Sequence, residues 1–238
     1  MQTVAVVLAG GSGRRFGAAS PKQLRLLAGR SLIEHCVRAF SQAPAVDQVL
    51  VVAADEITAQ VRQDVASYAK LADVIQGGIT RTDSTREAIN WLNARLAGRE
   101  CKVLFHDAAR PLVDQQTIAN CVNALDQWQA AGVVVPSADT IVEVADGRIQ
   151  RVLPRASLAR CQTPQGFLLS VISQAYDLAD ADPGFAAQPA TDDCGVVLRY
   201  LPEVAVGAVQ GSERNLKITY ADDLAIARAL LDTADDAR

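Results

Sequence analysis

Apolar and polar positions alternate in two rhythms over residues 1–135. Short, nearly continuous, β-branched runs at residues 4–8, 49–52, 74–75, 103–105 and 133–135 are bounded by turn residues. They predict buried strands. Between them, apolar residues recur at helical spacing. Leu32, Ile33, Cys36, Val37 and Phe40 share one face, opened by Ser31 and Glu34 as a capping-box pair. Ala88, Ile89, Leu92 and Leu96 repeat the pattern behind Ser84 and Glu87. Ile118, Cys121, Val122, Leu125 and Trp128 form a third face. Strands joined by crossover helices predict an α/β fold, with a mostly parallel sheet and helices on both faces.

The rhythm changes at residues 138–153, ADTIVEVADGRIQRVL. Asp146-Gly147 lies between two β-rich runs and predicts a two-residue hairpin turn. A lone hairpin is marginal in water, so this one reads as an arm, at about residues 137–157, that needs something to pack on. Beyond it, residues 170–181 read as a helix and residues 182–193 as a loop. Residues 204–209 read as a strand, and Leu224, Ile226, Ala227, Leu230 and Leu231 mark a last helix.

Composition narrows the class. The chain has 238 residues, half of them hydrophobic, enough for one large domain. Its apolar runs are too short for a membrane span, and its first residues lack a basic, cleavable leader, so a cytoplasmic setting is expected. A net charge of −4 argues against broad nucleic-acid binding. The five cysteines are scattered, with no C-x-x-C, and the two histidines are remote from them. Neither a disulfide scaffold nor a zinc site is expected.

Candidate chemistry begins at residues 8–23, LAGGSGRRFGAASPKQ. Phe16 fills the third glycine position of a dinucleotide fingerprint, and Ala18 follows Gly17 where a P-loop needs lysine. Neither template fits. Glycines after a parallel strand still let backbone amides line an anion site, and Arg14, Arg15 and Lys22 add cations. A polyphosphate cradle and a solvated surface turn both explain this composition.

HDAARP follows the run at 103–105. Asp107 is either a hard ligand for phosphate-bound Mg²⁺ or a turn cap paired with Arg110. His106 reads as structural. In GGITRTDS the glycines permit close backbone approach, and Ser84 serves either as a helix cap or as a ligand contact. Thr191-Asp192-Asp193 reads as a cap with acidic first-turn residues. In NLKIT a strand would set Lys217 on the face opposite Leu216 and Ile218. Thr219 and Asp222 read as caps of the last helix.

Taken together, these motifs resemble the 2-C-methyl-D-erythritol 4-phosphate cytidylyltransferases. LAGGSGRRFGAASPKQ, GGITRTDS, HDAARP, RVLPRASLARCQTPQGF, TDDCG, and NLKIT with DDLAIA occur in that family's order over essentially the whole chain. The resemblance implies a Rossmann-like nucleotidyltransferase fold and a homodimer with a swapped arm. It implies transfer of CMP from CTP to methylerythritol phosphate, with Mg²⁺ and release of pyrophosphate. By motif, Arg15 and Lys22 stabilise charge on the α-phosphate. Ala9, Gly10, Gly11, Gly13 and Arg14 hold the nucleotide with Ala108, and Gly78 and Ser84 meet the cytosine. Asp107 serves the metal. Thr140, Arg155, Lys217, Arg110 and Thr163 position the alcohol phosphate, with Thr140 and Arg155, and Arg110 as a further candidate, from the other subunit. Ile79, Cys161 and Arg214 depart from the family's usual residues. A ribitol 5-phosphate cytidylyltransferase and a non-catalytic CTP-binding regulatory domain are the alternatives.

Overall fold

The computed structural model describes residues 1–10 and 21–235. The chain enters through β1 (Gln2–Ala9). After the short β2 (Leu26–Leu27) and β3 (Arg30–Ser31) come α1 (Leu32–Gln42), β4 (Gln48–Ala53), α2 (Asp55–Val65) and β5 (Leu71–Gln76). Then follow α3 (Arg81–Leu96), β6 (Cys101–Asp107), α4 (Gln115–Ala124) and β7 (Ala130–Pro136). The arm is β8 (Val142–Ala145) and β9 (Arg148–Val152). The chain closes with β10 (Ala159–Leu168), α5 (Leu169–Ala181), α6 (Asp193–Tyr200), β11 (Val206–Gln210) and α7 (Ala221–Asp235).

Seven strands form one sheet in the order β11-β7-β10-β6-β1-β4-β5. All pairs are parallel except the two made by β10. The central strands bury both faces, which is why they read as continuous apolar runs. Val4, Val6 and Leu8 of β1 pack toward α3, α5 and α6, while Ala5, Val7 and Ala9 pack toward α1, α2 and α4. That two-residue alternation makes one helix layer per face. A third cluster, Leu27, Leu32, Ile218 and Ala227, seats α7.

The chain runs from β1 through β4 to β5 on one side, then returns to place β6 on the other. The strand order therefore reverses between β1 and β6, and open α/β sheets bind ligands in the crevice at such a point. Register pairs Leu8 with Asp107, so Gly10 and Asp107 flank the same crevice.

Local details correct four sequence expectations. Helix α3 starts one turn before Ser84: Thr80 and Asp83 form the capping box instead, and Ser84 sits inside the helix. The box that forms is the one nearer the Gly77-Gly78 turn. Trp128 lies past the end of α4 and is half exposed. Its indole rests where a Cβ on Gly207 would fall, 2.5 Å from the ring, so β11 needs glycine there. Residues 215–218 join no strand, and Lys217 is exposed while Ile218 is buried. Asp223, not Asp222, tethers the start of α7, accepting from Thr219 N at 2.6 Å and Tyr220 N at 2.8 Å.

The arm agrees with the sequence. Asp146 and Gly147 both have positive φ, 52° and 71°, as a two-residue hairpin of this kind requires. No helix among the described residues is long and apolar enough to cross a membrane.

Candidate active site

The crevice is built where β1 and β6 end. Gly10 follows β1, and an added Cβ would stand 2.3 Å from Ser84 Oγ. A Cβ on Gly77 would stand 2.7 Å from the same oxygen, and one on Gly78 2.2 Å from Asp83 Cβ. The glycine segments after β1 and β5 thus close on the first turn of α3, and only residues without a side chain fit. The Ser84 hydroxyl is fully buried and donates to Thr80 O at 3.0 Å. Ala108 joins this wall, its N–H donating to Leu8 O at 2.9 Å.

Lys22 reaches the crevice through two anchors. Gln23 is buried and donates to Ala9 O at 3.2 Å, holding the segment against the end of β1. Lys22 Nζ donates to Ile218 O at 2.9 Å. Gly11, Gly13, Arg14 and Arg15 lie outside the described residues.

Asp107 is the centre of charge. Its Oδ1 accepts from Arg81 Nε at 3.1 Å and its Oδ2 from Lys217 Nζ at 2.7 Å. Burial alone would raise its pKa, but Arg81 and Lys217 overcome that and hold the carboxyl well below the usual carboxylate range. It pairs with these two cations rather than with Arg110. Among the described residues no three His, Cys, Asp or Glu side chains converge to cage a metal. One carboxylate beside several cations fits a magnesium ion carried mainly by substrate phosphates, not a preformed protein cage.

Arg110 is held by carbonyls. Its Nη1 donates to Asn215 O at 2.8 Å and its Nη2 to Cys161 O at 3.3 Å. Asn215 is fully buried and donates to Thr163 O at 2.8 Å and Gln162 Oε1 at 3.2 Å. Residues 215–218 therefore strap Lys22, Arg110, Lys217 and Thr163 to one another.

His106 is structural, and its tautomer follows from its partners. Its Nε2 lies 3.0 Å from Arg110 O, a carbonyl that can only accept, so Nε2 carries the proton. Nδ1 then accepts from the Thr163 hydroxyl at 3.0 Å, and that hydroxyl accepts from Asp107 N at 3.1 Å. Burial is the main cause of a lowered pKa, to about 4, so the ring is neutral near pH 7. The crevice has charge in abundance and no histidine base.

The structure does not bring every expected residue together. Thr140 and Arg155 are exposed at the base of the arm, where Arg155 Nη1 donates to Ala138 O at 3.0 Å. Among the described residues neither bonds to the crevice. Arg214 points away, its guanidinium bonded to Leu230 O and Thr233 Oγ1 of α7. Ile79 is 95% exposed beside Gly78. Cys161 is held at the crevice edge by Gln165 Nε2, and burial pushes its thiol up to about 11.

Sequence reasoning passed over Arg81, Asp193 and Asn215. Arg81 carried a usable signal, because a cation at the first position of a helix opposes the helix dipole and needs a carboxylate partner. By local pattern Asp193 reads only as a first-turn acid. Asp192 is the cap, accepting from Gly195 N at 2.8 Å, while Asp193 turns inward to Arg81 and Tyr176.

The chain is similar to known proteins along nearly all its length. The family model for 2-C-methyl-D-erythritol 4-phosphate cytidylyltransferase matches residues 3–233. A protein of that name from Thermobifida fusca is 48% identical, over 98% of this chain and 94% of its own. A bifunctional ribulose 5-phosphate reductase/CDP-ribitol pyrophosphorylase from Haemophilus influenzae is 37% identical, over 96% of this chain and 48% of its own. The crystal structure of a 4-diphosphocytidyl-2C-methyl-D-erythritol synthase from Anaerococcus prevotii superposes with a TM-score of 0.83 at 25% identity, over 97% of this chain and 98% of that one. With the glycine turns, Asp107 and the cations gathered at one crevice, the chain belongs to the 2-C-methyl-D-erythritol 4-phosphate cytidylyltransferase family.

Proposed function

We propose that the chain transfers CMP from CTP to 2-C-methyl-D-erythritol 4-phosphate and releases pyrophosphate. The observation that carries this reading is the gathering of Arg81 and Lys217 on Asp107, with Lys22 and Arg110 tied to the 215–218 segment that carries Lys217, at the point where strand order reverses. Two polyanions must meet there, so fixed cations supply the main catalytic term. A phosphate monoester is already ionised near pH 7, so its oxygen attacks the α-phosphorus without a protein base. The buried, neutral His106 suits that chemistry.

In this reading Arg15 and Lys22 stabilise the charge that develops on the α-phosphate. Ala9, Gly10, Gly11, Gly13, Arg14 and Ala108 hold the nucleotide, and Gly78 and Ser84 border the cytosine. Ser84 shapes that border through its buried packing, leaving direct contact to backbone groups. Lys217, Arg110 and Thr163 orient the alcohol phosphate. Magnesium, when bound, neutralises phosphate charge, and Asp107 is the carboxylate placed to face it.

Thr140 and Arg155 complete the site in a homodimer, arriving on the arm of a second copy. Ile141, Val144, Ile149 and Val152 are 37–67% exposed on that arm, an apolar face that supports such a seat.

The ribitol 5-phosphate alternative has support from the 37% identity to the CDP-ribitol pyrophosphorylase protein. Pyrophosphate release from CTP, measured with each alcohol phosphate, separates the readings. A clear preference for methylerythritol phosphate is expected. Preference for ribitol 5-phosphate would reassign the substrate, and CTP binding without turnover would favour a regulatory domain.

A further inference from the structure

Asp193 is a fully buried carboxylate that neither faces the crevice nor caps α6. Its Oδ1 accepts from the Tyr176 hydroxyl at 2.6 Å. Its Oδ2 lies 2.8 Å from Arg81 Nη2, a close ion pair off the hydrogen-bond axis. Its backbone N–H donates to Gln165 Oε1 at 3.1 Å. Arg81 thus spans two carboxylates, with Nη2 on Asp193 and Nε on Asp107. Among the described residues the Lys217 side chain pairs only with Asp107, on the opposite oxygen, and it is 41% exposed against 25% for Arg81.

We infer that Asp193 and Tyr176 are positioning residues: they pin Arg81 on one oxygen of Asp107, so that Lys217, on the other, is the cation that crosses to an incoming phosphate. This rests on the function proposed above. The two cations differ in what leaving would cost. Withdrawing Arg81 strands Asp193 in a dry interior without a counter-charge. Lys217 is a point charge on a flexible stem at the crevice mouth, and moving to a phosphate exchanges one anion for a more highly charged one. After it moves, Arg81 still compensates Asp107. Without Asp193, either cation can answer the phosphate, and the attacking oxygen is held in more than one place.

The test compares Asp193→Asn and Tyr176→Phe in the wild-type and in an Asp107→Asn background. Wild-type turnover is measured first, and its absence would dispose of the functional reading on separate grounds. With turnover present, kcat/KM for the alcohol phosphate should fall about tenfold for Asp193→Asn and about threefold for Tyr176→Phe, with KM for CTP within about twofold. In the Asp107→Asn background both losses should shrink below about twofold, because the carboxylate on which Arg81 is pinned, and which Lys217 shares, is already gone. Equal losses in both backgrounds would mark the pair as general scaffold, and no loss in either would remove it from the site. Should Asp193→Asn fail to fold, Tyr176→Phe keeps the buried charge and decides the matter alone.

Discussion

The crevice and the arm are built on opposite plans. In the crevice each polar group is fixed by several others: Asp107 holds two cations, Thr163 bridges His106 and Asp107 N, and Asn215 ties Arg110 to β10. In the arm all of β9 is exposed, and β8 is nearly so. A site that must present cations before substrate arrives needs the first plan, because groups already oriented lose nothing by reorganising. A two-stranded ribbon exposed along its length, with Arg155 just past its end, is marginal by itself. The crevice should therefore govern rate, and the arm should govern substrate affinity and assembly.

That division breaks most visibly at Lys22. Lys22→Ala should lower kcat by about 10²- to 10³-fold with CTP affinity changed little, read by steady-state kinetics and by calorimetric titration with CTP. A variant with normal kcat and weak CTP binding would move Lys22 from the transition state to the ground state.

His106 tests how far the crevice is over-determined. Its pKa in the fold, about 4, lies below the unfolded value of 6.5. Between those values the unfolded chain binds the proton and the fold does not, so stability falls as pH drops from about 6.5 to about 4. The loss from this residue should approach about 3 kcal/mol, and His106→Gln should flatten it. Denaturant titrations at pH 7 and pH 4.5 measure both slopes. An unchanged slope in the variant would assign the acid sensitivity elsewhere.

Arg155 sharpens the other side. Arg155→Ala should raise KM for the alcohol phosphate about tenfold while KM for CTP stays constant. Unchanged KM for the alcohol would leave the arm with assembly alone.

The smallest effect belongs to the hairpin turn. Gly147 has φ of 71°, where alanine costs about 1 kcal/mol. Gly147→Ala should weaken the proposed dimer about fivefold by sedimentation equilibrium, with the melting temperature of the isolated protomer unmoved. A lower protomer melting temperature would mean that the arm packs on its own body.

The two regions also differed in how readable they were. Strands such as β1 and β4 were legible because burial on both faces leaves only apolar residues. The arm was legible because Asp146-Gly147 supplies the two positive φ values its turn demands. The outer ring of the crevice was not. Arg81 meets Asp193 only after α3 and α6 pack on one face of the sheet, and no local pattern records such a meeting. The cap of α3 was misplaced at Ser84 and Glu87, because the close approach at Gly78 that favours Thr80 and Asp83 leaves no local pattern. Lys217 pairs with Asp107, yet its segment is a strap rather than the strand its pattern suggested.

In the proposed homodimer each site joins the crevice of one protomer to the arm of another, and mixing two impaired variants tests that pairing. Lys22→Ala and Arg155→Ala chains would be unfolded together, refolded, and assayed at low alcohol phosphate. If the arm acts across the dimer, half of the chains' pairings are mixed, and each mixed pair rebuilds one intact site from an unaltered crevice and an unaltered arm. Activity should then recover to about a quarter of wild type. Activity that stays at the mean of the two variants would show that crevice and arm belong to the same chain, and would contradict that pairing.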